Sequence, residues 1–123
     1  MKVLHAITSI DKGGAENHVV SLIEEQKKNN YLVEIIFSKK SNYWKSYLTS
    51  LGVFVNQPNF TNESFFLLRL IKFCFDLIKL RRVIINFKPD VLHAHLPYME
   101  LLCFFCLFLL RKKPRLIISK HVD

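Results

Sequence analysis

Three short segments hold the residue types from which a site could be built. Gly13 and Gly14 stand together just ahead of a helical stretch that begins Ala15-Glu16. His93-Ala94-His95 closes one apolar run, and His121 follows a later one. Paired glycines let a backbone turn tightly and let a ligand come close to its amides. A helix starting there adds free N–H groups and a partial positive charge, a cradle for an anion such as a diphosphate. The same pair also serves an ordinary strand-to-helix turn. An imidazole can exchange a proton near neutral pH. His95 and His121 fall at strand ends and are the candidates for that role. His93 and His5 read as sheet-face or core residues.

Other chemistries lack their residues. The Gly13-Gly14 loop is not a G-x-G-x-x-G turn, and Ser38 stands where a ribose-binding acid is expected, which argues against a nicotinamide cofactor. No Gly-Lys-Ser/Thr follows the glycines, so the loop is not a P-loop. Cys103 and Cys106, with His93 and His95, make a four-ligand zinc set on paper. The two cysteines lie inside LLCFFCLFLL, however, where a free thiol acts as a small hydrophobe. No exposed helix start carries them, as a redox pair requires. No Ser-His-Asp order and no paired acids at a cleft stand out.

These residues need a frame that brings them together. Lys2 to Thr8 reads as a buried strand, Ala15 to Lys28 as a helix stopped by Asn29-Asn30, and Tyr31 to Ser38 as a second strand. A short helix over Asn42 to Leu51 closes at Gly52, and Val53 to Val55 is a third strand. After a polar loop from Gln57 to Ser64, a long helix runs to Phe87 and is broken by Lys88-Pro89-Asp90. Val91 to His95 is the fourth strand. Pro97 leads into a helix ending near Arg111, and Arg115 to Lys120 is the fifth strand. Alternation of this kind predicts an α/β fold with a Rossmann-like parallel sheet of five strands, order 3-2-1-4-5, and helices on both faces. Ligands then bind at the carboxyl ends of the strands, near the switch between strands 1 and 4. The loop Ser9–Gly14, the turn His95–Pro97 and the segment His121–Asp123 converge there.

Composition sets the outer limits. The chain has 123 residues, half of them hydrophobic, which suits one globular domain with a real core. Three cysteines are too few for a disulfide scaffold. The start lacks the pattern of a secretory signal, so a cytoplasmic location is expected, with the inner membrane face as a variant. Lys and Arg total 18 against 10 Asp and Glu, a formal net charge of +8. The basic residues are dispersed in pairs near expected element ends, which reads as solvated ends; an anionic membrane surface is the alternative. No recognition motif accompanies the charge, so nucleic acid is not an expected partner. No segment supplies the roughly 20 apolar residues of a bilayer span. In the long helix, Arg69, Lys72, Asp76 and Lys79 fall on one narrow stripe, and Phe65, Phe66, Phe73 and Phe75 weight the apolar remainder. That apolar face either packs on the sheet and a neighbouring helix or rests partly on a membrane.

Taken together, MKVLHAITSIDKGGAENHVVSL, PDVLHAHLPYMELL and IISKHVD resemble the N-terminal half of a GT-B-fold glycosyltransferase of the family-4-like group. The resemblance runs the length of the chain. It implies an acceptor-side Rossmann-like domain that faces a donor-binding domain across a cleft. The implied reaction transfers a sugar from a nucleotide-sugar donor to a glycan or lipid-linked acceptor, with retention, without a cofactor and without a bound metal. By that resemblance Gly13 and Gly14 approach the acceptor and the donor diphosphate, Glu16 and His95 line the acceptor side, and His121 reaches the donor sugar as the catalytic residue. The donor-binding domain, with its Glu-x7-Glu element, is absent from these 123 residues. The chain is thus expected to be a partial domain, inactive alone unless a separate chain supplies the donor half. The competing expectation is a non-catalytic binding or peripheral membrane module, or a gene remnant, on the same fold.

Overall fold

A computed structural model describes residues 1–7, 14–37, 44–57, 66–95 and 97–119. The elements alternate as β1 (Lys2–Ile7), α1 (Gly14–Lys28), β2 (Leu32–Phe37), α2 (Lys45–Ser50), β3 (Phe54–Asn56), α3 (Phe66–Phe87), β4 (Val91–His95), α4 (Pro97–Phe108) and β5 (Arg115–Ser119). All strand pairs are parallel. The sheet order is β3-β2-β1-β4-β5, the predicted doubly wound order. The winding reverses between β1 and β4, so the carboxyl ends of these two strands flank the switch point.

Successive strand residues face opposite sides, and the two sides collect two cores. Ile7, Val33, Ile35 and Phe37 pack with Val19, Val20 and Ile23 of α1 and Leu48 of α2 on one face. Leu4, Ala6, Ile36, Leu92 and Ala94 pack with Leu80, Val83 and Ile84 of α3 and Met99, Leu102, Cys103 and Cys106 of α4 on the other. Near-continuous burial along β1 and β4 follows from this double cover, as parallel strands require.

Helix ends account for the turns. Asn30 takes the left-handed conformation (φ 64°) after α1, as the Asn29-Asn30 pair predicts, and Tyr31 N–H bonds the Gln26 carbonyl at 3.0 Å. Gly52 (φ 86°) closes α2 in the same way. Lys88 (φ 54°) ends α3 ahead of Pro89. α4 stops at Phe108 rather than near Arg111, because the chain tightens there: Leu109 N–H turns back to the Cys106 carbonyl and Leu110 N–H to that of Leu107. At the opposite edge of the sheet Asp90 ties three strands. Its carboxylate accepts from Lys2 N–H at 2.8 Å, its own N–H donates to the Lys2 carbonyl at 2.8 Å, and its carbonyl accepts from Arg115 N–H at 3.1 Å.

The polar stripe of α3 corrects the simplest amphipathic reading. Lys72 and Asp76 do not face water: they are 3% and 7% exposed. Leu70, Ile71, Phe75 and Ile78 are exposed instead. The cause is register along the helix. Leu80, Val83 and Ile84 seat α3 on the sheet, and positions four and eight residues back from Leu80 lie on the same stripe. Asp76 and Lys72 are those positions, so the inward face becomes polar toward the N-terminal half of α3, where it meets Tyr98 of α4. Arg69 remains exposed, Lys79 is half-buried with its ammonium donating to the Gln57 carbonyl, and Phe73 packs on the core.

Candidate functional site

β1 and β4 lie side by side with His5 opposite His93. His95, two residues on from His93, shares its face. Three imidazoles therefore meet on the sheet side covered by α1. His5 and His95 are fully buried and His93 is 9% exposed. His5 Nδ1 and His95 Nε2 are 3.1 Å apart, and His5 Nε2 lies 2.7 Å from Gln26 Oε1 near the end of α1. The His93 and His95 rings stack at 4.0 Å between centroids, and each is 5.3 Å from the His5 ring.

These contacts fix the tautomer. Gln26 Oε1 only accepts, so His5 Nε2 carries the proton. His5 Nδ1 is then an acceptor, and His95 Nε2–H donates to it. Burial lowers the His5 pKa to about 4, the Gln26 bond opposes the shift, and the charge His93 would carry adds to it. The ring is neutral at physiological pH.

The remaining candidate residues fall as follows. Gly14 is the first residue of α1, and Glu16 lies in its first turn. The chain passes from the carboxyl edge of the sheet, at the end of β1, to the N-terminus of α1. His95 is the last residue of β4 at that same edge, with its side chain buried against His5. Gly13, Ser38 and His121 lie outside the described residues. Cys103 and Cys106 are buried in α4, across the sheet from His93 and His95, so the four-ligand set imagined on paper does not assemble. Burial pushes the Cys103 thiol up, and that of Cys106 up to about 11, which leaves both protonated and unreactive.

Sequence reasoning missed two partners. Gln26 lies on the α1 stripe of Val19 and Ile23, seven residues beyond Val19, a spacing that turns it toward the sheet. Tyr98, at the start of α4, donates its hydroxyl to Asp76 at 2.7 Å, and Lys72 Nζ contacts the same carboxylate at 3.2 and 3.3 Å. No local sequence signal links Tyr98 to Asp76, since the contact depends on how α3 and α4 pack.

Among known families, the model described as Glycosyltransferase Family 4 matches residues 12–123, a span that takes in all four helices and strands β2 to β5. No curated protein matches the chain.

Proposed function

We propose, from the premise that the chain belongs to Glycosyltransferase Family 4, that residues 1–123 form the acceptor-side domain of a retaining sugar transferase that uses a nucleotide-sugar donor. The observation that carries the reading is the start of α1 at Gly14, the element that follows β1, one of the two strands that flank the switch. A helix of 15 residues begins there, and the positive end of its dipole favours an anion. Fixed donors aimed at a departing diphosphate stabilise the charge that develops as the glycosidic bond breaks. Gly13 and Gly14 keep that approach free of side chains. Glu16 and His95 belong to the acceptor side, with His95 as part of its floor. His121, two residues past β5 in sequence, reaches the donor sugar and bonds it more strongly in the transition state than in the ground state. The acceptor is a glycan or a lipid-linked glycan.

The test is sugar transfer by the chain mixed with a family donor domain and a nucleotide sugar. His121→Ala is expected to lower the rate about tenfold, the loss of one hydrogen bond to a charged centre of about 1.5 kcal/mol. An unchanged rate would remove His121 from the reaction.

One observation favours a second reading, a peripheral membrane module. Phe104, Phe105 and Phe108 of α4 are exposed, and Arg111, Lys112 and Lys113 follow directly. Arg81 and Lys88 line a cavity of about 610 Å³ with those three cations. No described helix is long and apolar enough to cross a membrane, so the association would be at the surface. Co-sedimentation with anionic vesicles is expected at low salt and is lost at high salt. Equal recovery with neutral vesicles would exclude the charge-assisted form of this reading.

A further inference from the structure

The histidine cluster carries an inference separate from sugar transfer. We propose that His5, His93 and His95 form a three-imidazole site for a divalent cation of the zinc class, held as a structural ion between β1 and β4.

The placement is what such a site needs. A His-x-His pair on one strand sends two rings to one face, and a third histidine sits in register on the adjoining strand. One ring nitrogen from each lies within 4.8 Å of the other two, and all three residues are buried. At zinc–nitrogen distances of about 2.0–2.1 Å, tetrahedral geometry puts ligand nitrogens about 3.4 Å apart. The His5–His95 pair, at 3.1 Å, is already inside that distance. Closure on an ion moves the remaining nitrogen by up to about 1.4 Å, within reach of ring rotation. The positions come from paired strands rather than loops, so the site is preorganised.

The surroundings fit a ligand set. Gln26 holds the His5 Nε2 proton at 2.7 Å, which leaves the Nδ1 lone pair aimed into the cluster. An outer partner of this type fixes ring orientation in histidine metal sites. Neutral imidazole is the ligating form, and burial keeps His5 neutral. On binding, the His95 proton leaves Nε2 for solvent and Nδ1 takes one up, so each ring stays neutral and nothing is oxidised or reduced. Three neutral ligands leave the double charge of the ion uncompensated. The fourth ligand is therefore hydroxide or a small carboxylate. It enters from the β5 side, where Ile117, the register partner of His93, is 41% exposed.

An untagged chain stripped with chelator tests this. Added Zn2+ at a hundredfold excess over its Kd is expected to raise Tm by on the order of 10 °C. Added Co2+ is expected to give the visible bands of tetrahedral cobalt without a thiolate charge-transfer band, which separates this site from exposed Cys74. His5→Gln and His95→Gln should abolish both signals, and His18→Ala, an exposed histidine of α1, should keep them. Absence of the cobalt bands on the unmodified chain overturns the proposal whether or not the variants fold. So does a zinc shift that survives in His5→Gln. Neither outcome touches the transfer reading, which rests on the family match and on the start of α1 at Gly14.

Discussion

Asp76→Leu is expected to lower stability by about 3–5 kcal/mol, read as a fall in the urea midpoint at constant slope. Asp76 neutralises the buried ammonium of Lys72 and accepts the Tyr98 hydroxyl. Removing the carboxylate takes away the anion 3.2 Å from the buried Lys72 ammonium and the acceptor 2.7 Å from the Tyr98 hydroxyl, in the seam between α3 and α4. The pair itself need not be net stabilising, because two charges taken from water lose most of what their attraction returns. Lys72→Met combined with Asp76→Leu is therefore expected to regain most of the loss, since no charge is then buried in the seam. Tyr98→Phe alone should cost about 1 kcal/mol, the worth of one hydrogen bond. A loss below about 1 kcal/mol in Asp76→Leu would mean that Lys72 reaches solvent when its partner is gone.

The seam shows where the sequence was legible and where it was not. The spacing of Lys72 and Asp76 identifies a pair on any helix, and burial of the pair does not alter the spacing. What decides burial is the direction in which α3 is seated. That direction is set by Leu80, Val83 and Ile84, and by the contact of Tyr98 from a helix that begins ten residues after α3 ends. A helical stripe with polar groups at one end and apolar groups at the other is read by default as two separate faces. In this chain it is one face that crosses from sheet to helix seam. The strand order presents the opposite case. Continuous apolar runs, short turns and alternating elements leave few arrangements once crossovers are right-handed, and β3-β2-β1-β4-β5 is the arrangement found.

For the histidines the pattern was half legible. The alternation of His93 and His95 gives a shared face, and both belong to a strand by the apolar run around them. That His5 joins them requires the register of β1 against β4, which pairs residues 88 apart and leaves no local trace. The reading of His5 and His93 as sheet-face or core residues matches their burial. Gln26 could be placed on the inward face of α1, but its particular partner could not, because that depends on how far α1 runs along β1.

His5 also makes the fold acid-sensitive. In the unfolded chain its pKa is the ordinary 6.5, and in the folded chain it is lowered to about 4. Between these values the unfolded state binds more protons, so stability rises with pH across the window. Stability is therefore flat above about pH 7 and falls by about 3 kcal/mol as the pH drops from 6.5 to 4, the worth of a shift of this size. Among the described residues, the groups in contact with His5 are His93 and His95 on β4 and Gln26 on α1, and none of these three supplies a negative charge that would welcome the proton. Carboxylates titrate in the lower half of the same window, so the comparison is with His5→Gln, whose slope between pH 6.5 and 4 should be shallower by that amount. The measurement is urea unfolding at a series of pH values with chelator present, so that bound metal does not compete with protons. Parallel slopes for the two chains would mean that His5 takes up a proton in the folded state at its ordinary pKa. The cluster would then be open to water, and the assignment of its rings as buried and neutral down to acid pH would fail.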